Sequence, residues 1–197
     1  NHRGEFESRI DFVGLPSEFA SFRPDHLRYR DGRLYVISYS ELLVVVTDTD
    51  GLFQNGYDLA AMIGIGEEDR LSTEIGGFNL DRAGNFLVTI PVVFRAFVIQ
   101  PGGEVQAFGR GGSIPGSFGV VAGIASTDDG GYLVADRQRN AVIVFDEAFK
   151  FITEFGHRGT RPENLIRPNR VEVGSSGRVY VTQLRDRGVA VFSMGTN

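Results

Sequence analysis

Nineteen of the twenty basic side chains in this chain are arginine, and the one lysine is Lys150. Arginine presents a planar fork of donors that matches carboxylate or phosphate in a bidentate way, whereas lysine offers a point charge. Arg110, Arg137, Arg139, Arg158, Arg161, Arg167, Arg170, Arg185 and Arg187 crowd into the second half of the chain, together with His157. The chemistry such a set would do is to grip an anion: an acidic protein, a phosphate, a carboxylated glycan or a haem propionate. The competing reading is that these arginines pair with neighbours such as Asp136, Glu163 and Asp186 and serve the fold. A GC-rich coding bias would give the same preference for arginine.

A second set has the chemistry of metal ligands. Asp25 and His26 are adjacent, and Asn79 and Asn169 supply amide oxygens, a donor mixture that suits hard or borderline cations. Other possibilities close quickly. With no cysteine there is no disulfide, thiolate metal site, cysteine nucleophile or covalent haem attachment. No G-x-S-x-G, Walker loop or dinucleotide fingerprint is present. The three histidines, His2, His26 and His157, stand in unrelated contexts and suggest no triad. Asp48-Thr49-Asp50-Gly51 begins like a calcium loop, but Phe53 and Gln54 occupy later ligand positions, so it reads as a hairpin turn. Asp128-Asp129-Gly130-Gly131 reads the same way. No cofactor is expected.

The elements that must position these residues come from an internal repeat. GRLYV (32–36), GNFLV (84–88), GGYLV (130–134) and GRVYV (177–181) are four versions of one phrase, a glycine turn followed by an apolar strand, spaced by 52, 46 and 47 residues. Around the third copy, Gly123-Ile124-Ala125 precedes the turn, Leu133 to Asp136 follows it, and Ala141 to Phe145 and Phe151 to Phe155 add two more strands. Four short strands with tight turns per unit of about 45 residues are the signature of a propeller blade. A helical solenoid is excluded, because no 11-residue stretch carries an apolar spacing of 3.6. The insert from Tyr57 to Ser72 is the one place for a short helix. The fold class is therefore all-β, a β-propeller of four-stranded antiparallel blades, read as one domain over 1–197. Its repeats run about 15–59, 73–109, 118–156 and 165–197, the last closed by a strand from 5–14.

In such blades, the loops entering each blade and the turns joining its second and third strands lie at one end. That end collects the arginines, while Asp31, Asp48, Asp50, Asp128, Asp129 and Glu147 fall in turns of the opposite end. The starts of the inner strands, with Asp25-His26, Asn79 and Asn169, face the central channel, where water-bridged polar residues are the plainer reading than a metal. Phe97, Phe108, Phe145, Phe151, Phe155 and Phe192 recur at matching positions and are expected in the packing between sheets. Among the arginine loops, the aromatic platforms that RNA binding would need are chiefly Phe94 and Phe118. That scarcity, with a net charge of −5, argues against nucleic acid.

Residues 111–159, GGSIPGSFGVVAGIASTDDGGYLVADRQRNAVIVFDEAFKFITEFGHRG, resemble an NHL repeat, and RPENLIRPNRVEVGSSGRVYVTQ resembles the next one. The resemblance is close over 108–195 and weaker over 15–107, where Pro91 stands in a loop that normally begins with Asp. It implies a β-propeller, usually six-bladed, that works as an interaction platform. Four blades then make a small closed ring, half of a two-chain assembly, or part of a larger propeller. The style is similar to bacterial extracytoplasmic NHL proteins, some of them associated with cell-surface or electron-transfer systems, which implies a periplasmic or secreted setting. The functional expectation is a non-enzymatic scaffold docking an anionic protein partner on its arginine-bearing loops. The alternative is a metal-dependent propeller hydrolase or lyase using Asp25, His26, Asn79 and Asn169. No run is apolar enough to span a membrane.

Overall fold

The computed structural model describes residues 5–184 and 188–194. The chain divides into two compact units, Asn1–Leu71 and Ser72–Asn197.

The first unit holds one meander sheet of β1 (His26–Arg30), β2 (Arg33–Ser38), β3 (Leu43–Asp48) and β4 (Phe53–Asp58), paired in that order and antiparallel. Its β3–β4 hairpin is closed by the Asp48 carboxylate, whose Oδ1 accepts from the backbone of Asp50 and Leu52 at 3.0 and 2.9 Å. This is the Asx-type turn expected there, with the acid serving backbone geometry. The insert holds two short helices, α1 (Leu59–Ile63) and α2 (Glu67–Arg70). Asp58 caps α1 by accepting from Ala61 N–H and also takes Arg70 at 2.8 Å, so one carboxylate ties the pair together.

The second unit holds three further sheets. The first is β5 (Gly77–Leu80), β6 (Phe86–Ile90), β7 (Arg95–Ile99) and β8 (Val105–Phe108). Next come β9 (Val121–Ser126), β10 (Tyr132–Asp136), β11 (Ala141–Phe145) and β12 (Phe151–Phe155). The last is β13 (Pro168–Val173), β14 (Arg178–Gln183) and β15 (Val189–Ser193). Each is an antiparallel meander, so the repeated glycine phrase is in every case the turn into the second strand.

The sheet of β13 to β15 has three strands among the described residues. The segment 5–14, expected as its fourth strand, forms none. Val13 instead bridges to the first unit's own hairpin, donating to Gly51 O at 3.0 Å and accepting from Phe53 N–H at 2.9 Å. The backbone of Asp11 lies over Gly51 in the space a Cβ would need.

In the second unit the sheet of β9 to β12 is packed on both faces, which is why β9 to β11 read as nearly continuous apolar runs. Toward β5 to β8 it presents Val121, Ile124, Val134, Ile143 and Phe145, against Leu87, Ala96, Val98 and Phe108. The alternate residues Ala122, Ala125, Leu133, Ala135, Val142 and Val144 meet Leu165, Val171, Val179 and Val181. Phe108 sits at the hub of an aromatic cluster with Phe118, Tyr132, Phe145 and Phe149. Of the six phenylalanines expected in the packing, Phe97, Phe108 and Phe145 are buried, and Phe155 and Phe192 pack on each other half-buried, with tilted rings 4.7 Å apart. Phe151 differs: it stands on the edge strand β12 and is 37% exposed.

The inner strands β5, β9 and β13 lie side by side, and glycine permits it. A Cβ on Gly77 would strike the carbonyl of Ala122, and one on Gly123 would lie 2.6 Å from Arg170 Cα and 2.7 Å from Val171 N. These close approaches set the distance from the arginine loops of one blade to those of the next.

Candidate functional site: the arginine end of the second unit

Asp136, the last residue of β10, is fully buried, and its carboxylate organises the site. Oδ2 accepts from Gly119 N–H at 2.6 Å, and Oδ1 accepts from the backbone N–H groups of Val120, Gln138 and Arg139 at 3.1, 3.0 and 2.9 Å. Four main-chain donors on one carboxylate offset the cost of burying it. Together they fasten the loop entering the blade to the turn between β10 and β11. The expectation that Asp136 pairs with arginine side chains is corrected: its oxygens serve the backbone. Blade by blade the corresponding residue differs. Gln183 ends β14 and accepts from Ile166 N–H at 2.7 Å. In the first unit, Asp25 from the entering loop does this work, accepting from Tyr39 N–H at 3.0 Å.

The turn that Asp136 shapes carries Arg137, Gln138, Arg139 and Asn140. Asn140 adopts the left-handed conformation, and its side-chain oxygen accepts from Arg167 N–H at 3.0 Å, so it draws in the loop before β13. Leu165 plugs that loop from beneath, fully buried, with its N–H on His157 O at 3.0 Å. The result brings three arginines together. Arg137 Nη2 donates to Asn169 Oδ1, and the positive charges of Arg167 and Arg170 lie close enough to act on it. Burial first, and then those two like charges, hold Arg137 below the ordinary arginine value. Its Nε is buried with no hydrogen-bond partner. A guanidinium with an unsatisfied buried N–H among like charges is the arrangement an anion would complete.

Arg139 shares a buried, unpartnered Nε but differs in having a carboxylate partner. Its Nη2 reaches both oxygens of Glu154, at 3.0 and 2.8 Å, with the two side chains only 16% and 20% exposed, and its Nη1 donates to Ser113 O at 3.3 Å. Glu154, on β12, was not among the carboxylates expected to pair. The signal was present in principle, since Ile143 pairs with Glu154 across the β11–β12 ladder and so carries that acid to the turn that bears Arg139. Arg110, His157 and Arg158 stand exposed on the loops. Arg161 is exposed and lies 3.9 Å from Glu163, a pairing the sequence suggested and one worth little at such exposure. Arg185 and Arg187, like Asp186, lie outside the described residues.

Beside the arginines is an open cavity of about 460 Å³, lined by Phe94, Gly112, Ser113, Phe118, Gly119, Gln138 and Arg139. Phe118 is fully buried and forms its floor, so it is no stacking platform. Phe94 is exposed and held at a φ of 54°, a left-handed conformation that costs a bulky residue about 1–2 kcal/mol. Pro91 opens the 3-10 turn that ends on it, and Phe94 N–H donates to Pro91 O at 3.1 Å. In this blade Ile90 stands where the next has Asp136, so no carboxylate gathers the turn.

The candidate metal ligands have other employment. Asp25 holds Tyr39 N–H, and the His26 ring packs on Tyr39 at 5.4 Å; both line a mainly apolar cavity of about 370 Å³ in the first unit. In the second unit Asn79 donates to Ile124 O at 3.1 Å and to Glu172 Oε2 at 3.2 Å, linking all three inner strands. Asn169 accepts from Arg137. Among the described residues no group of three histidine, aspartate or glutamate side chains is placed to hold a metal ion.

No known protein family matches the chain. A segment of 77 residues, 39% of the chain, is 35% identical to the protein Brain tumor of Drosophila melanogaster, of which it spans 7%. Among solved structures, virginiamycin B lyase from Staphylococcus aureus superposes with a TM-score of 0.57 at 14% identity, over 88% of this chain and 56% of the lyase. A streptogramin B lyase gives 0.57 at 13% identity over 88% and 55%. An extracellular domain assigned to a hybrid two component system of B. thetaiotaomicron gives 0.50 at 12% identity, over 90% of this chain and 20% of that one. The chain thus spans little more than half the length of the lyases it resembles. No helix among the described residues is long and apolar enough to cross a membrane. At these identities the likeness speaks for the fold, and with the meander sheets it makes this chain an all-β propeller protein.

Proposed function

We propose that this chain is a non-enzymatic docking scaffold of NHL-type repeats whose arginine end binds an acidic partner protein. The observation that carries the reading is Arg137: its Nε is buried without a partner, and Arg167 and Arg170 press on it with like charge. A fold built only for stability gains nothing by half-burying Arg137 beside the exposed Arg167 and Arg170, since desolvation of Arg137 and repulsion from its neighbours both oppose it. An incoming carboxylate or phosphate offsets both, by attraction to the charges and by accepting from the buried N–H. The quoted NHL-like phrases and the 77-residue likeness to Brain tumor support the repeat type. The similarity of the repeats to bacterial extracytoplasmic NHL proteins supports a periplasmic or secreted setting.

The test is fluorescence anisotropy with a labelled oligoglutamate peptide. Binding at low salt that weakens as salt rises, and that falls about tenfold in Arg137→Gln, roughly one charged hydrogen bond's worth, supports the scaffold. Equal binding by wild type and Arg137→Gln would overturn it.

The second reading, a metal-dependent hydrolase or lyase, draws on the fold of the two lyases. It is the weaker because Asn79 and Asn169 direct their amides to Ile124, Glu172 and Arg137. Calorimetric titration with a divalent ion, in wild type and in His26→Ala, separates the two readings: stoichiometric binding lost in the variant favours the enzyme.

A further inference from the structure

Resting on the anion-docking reading, we infer that the 460 Å³ cavity beside the arginines is an anchor pocket. It would take one aromatic or branched aliphatic side chain from an extended acidic segment of the partner, whose carboxylates then reach Arg137, Arg167 and Arg170.

The pocket has the build of a receptor for an apolar group. Its exposed aromatic wall is the Phe94 ring, above the buried Phe118. The glycines of the intervening loop keep it open. A Cβ on Gly111 would come within 3.0 Å of the Phe94 ring, and one on Gly119 within 2.9 Å of Gln138 Oε1. Val92, Val93, Phe94 and Ile114, which flank the lining in the chain, are 41% to 54% exposed. Phe94 lines the pocket and Val93 and Ile114 adjoin lining residues in the chain, and apolar side chains left in water beside a concavity are a mark of protein contact. The volume lies within the range typical of ligand pockets, roughly 300–1,000 Å³.

Charge determines which apolar group is suited. Gln138 lines the pocket, and Arg137, its neighbour in the chain, opens the guanidinium group that continues toward Asn169. An extended peptide advances about 3.3 Å per residue, so a short acidic segment anchored in the pocket can carry carboxylates along the turn from Gln138 toward Arg137. A free apolar molecule would leave the buried Nε of Arg137 unsatisfied, and a free phosphate would leave the pocket empty. A segment combining one anchor with flanking acids satisfies both.

The experiment compares three labelled nine-residue peptides by anisotropy. One has a central Phe flanked on each side by Asp-Glu, a second replaces the Phe by Gly, and a third keeps the Phe but replaces the acids by Ser and Gln. Phe94→Asn removes the ring and suits the left-handed backbone, so folding is preserved, and Ile114→Ser serves as a second variant. The anchored acidic peptide is expected to bind about tenfold tighter than its Gly counterpart, and Phe94→Asn or Ile114→Ser to close that gap while leaving the salt-sensitive remainder. If both acidic peptides bind alike and neither variant matters, the pocket is no anchor site, although the arginine reading stands. If neither acidic peptide binds at low salt, the arginine reading fails and the anchor with it. Equal binding by the third peptide would also overturn the inference, since the acids would then contribute nothing.

Discussion

The carboxylate of Asp136 and the backbone N–H of Gly119 meet at 2.6 Å inside the second unit, 17 residues apart in the chain. Three more main-chain donors converge on the same group, so the loop entering the blade and the turn bearing Arg137 and Arg139 are one rigid piece. Asp136→Asn keeps the shape but can turn an NH₂ toward at least one of these N–H groups. The expected cost is about 2–3 kcal/mol, read by urea denaturation, with weakened anion binding as the turn loosens. Unchanged stability would mean that the loop does not depend on this carboxylate.

Arg139 and Glu154 should behave as a structural pair. Glu154→Ala leaves a half-buried guanidinium uncompensated and is expected to destabilise by about 1–3 kcal/mol. Arg139→Leu combined with Glu154→Leu should recover most of that loss. A double-mutant cycle by chemical denaturation measures the coupling, and additive single effects would contradict the geometry.

Arg137 should show the opposite sign. Arg137→Gln removes a part-buried charge that burial and two neighbouring cations disfavour, so the variant is expected to melt no lower than wild type, and slightly higher at low salt. Its anion affinity falls at the same time. Stability gained where binding is lost is the pattern of a functional site, and a lower melting temperature would show that Arg137 serves the fold.

Gly123 tests the close approach of the inner strands. In Gly123→Ala the new methyl would stand 2.6 Å from Arg170 Cα, a backbone atom that cannot swing aside. The expected cost is about 1–3 kcal/mol, as for other overpacked sites. Because β13 must shift, binding at Arg170 and Asn169 should weaken as well. Thermal melts and oligoglutamate titration together check both halves.

The sequence by itself determined what is local and repeated. The glycine phrase at intervals near 47 residues specified the turns into each second strand, and alternation within a meander dictates which end of a blade each loop occupies. Legible on those grounds were the all-β class and the hairpin role of Asp48. The same local logic suggested a strand over 5–14, but Val13 found its partner in the nearby hairpin at Gly51 and Phe53.

Only the tertiary structure decided which arginine does what. Arg137 and Arg139 are two residues apart and indistinguishable by type. One meets Glu154, carried up by the β11–β12 ladder; the other meets Asn169, Arg167 and Arg170, carried across by a neighbouring blade that Gly123 allows to approach. Phe94 and Phe118 were both visible as aromatics in polar loops, yet packing buried one as a floor and left the other exposed as a wall. Such distinctions depend on contacts between segments tens of residues apart, and no periodicity within a single repeat encodes them.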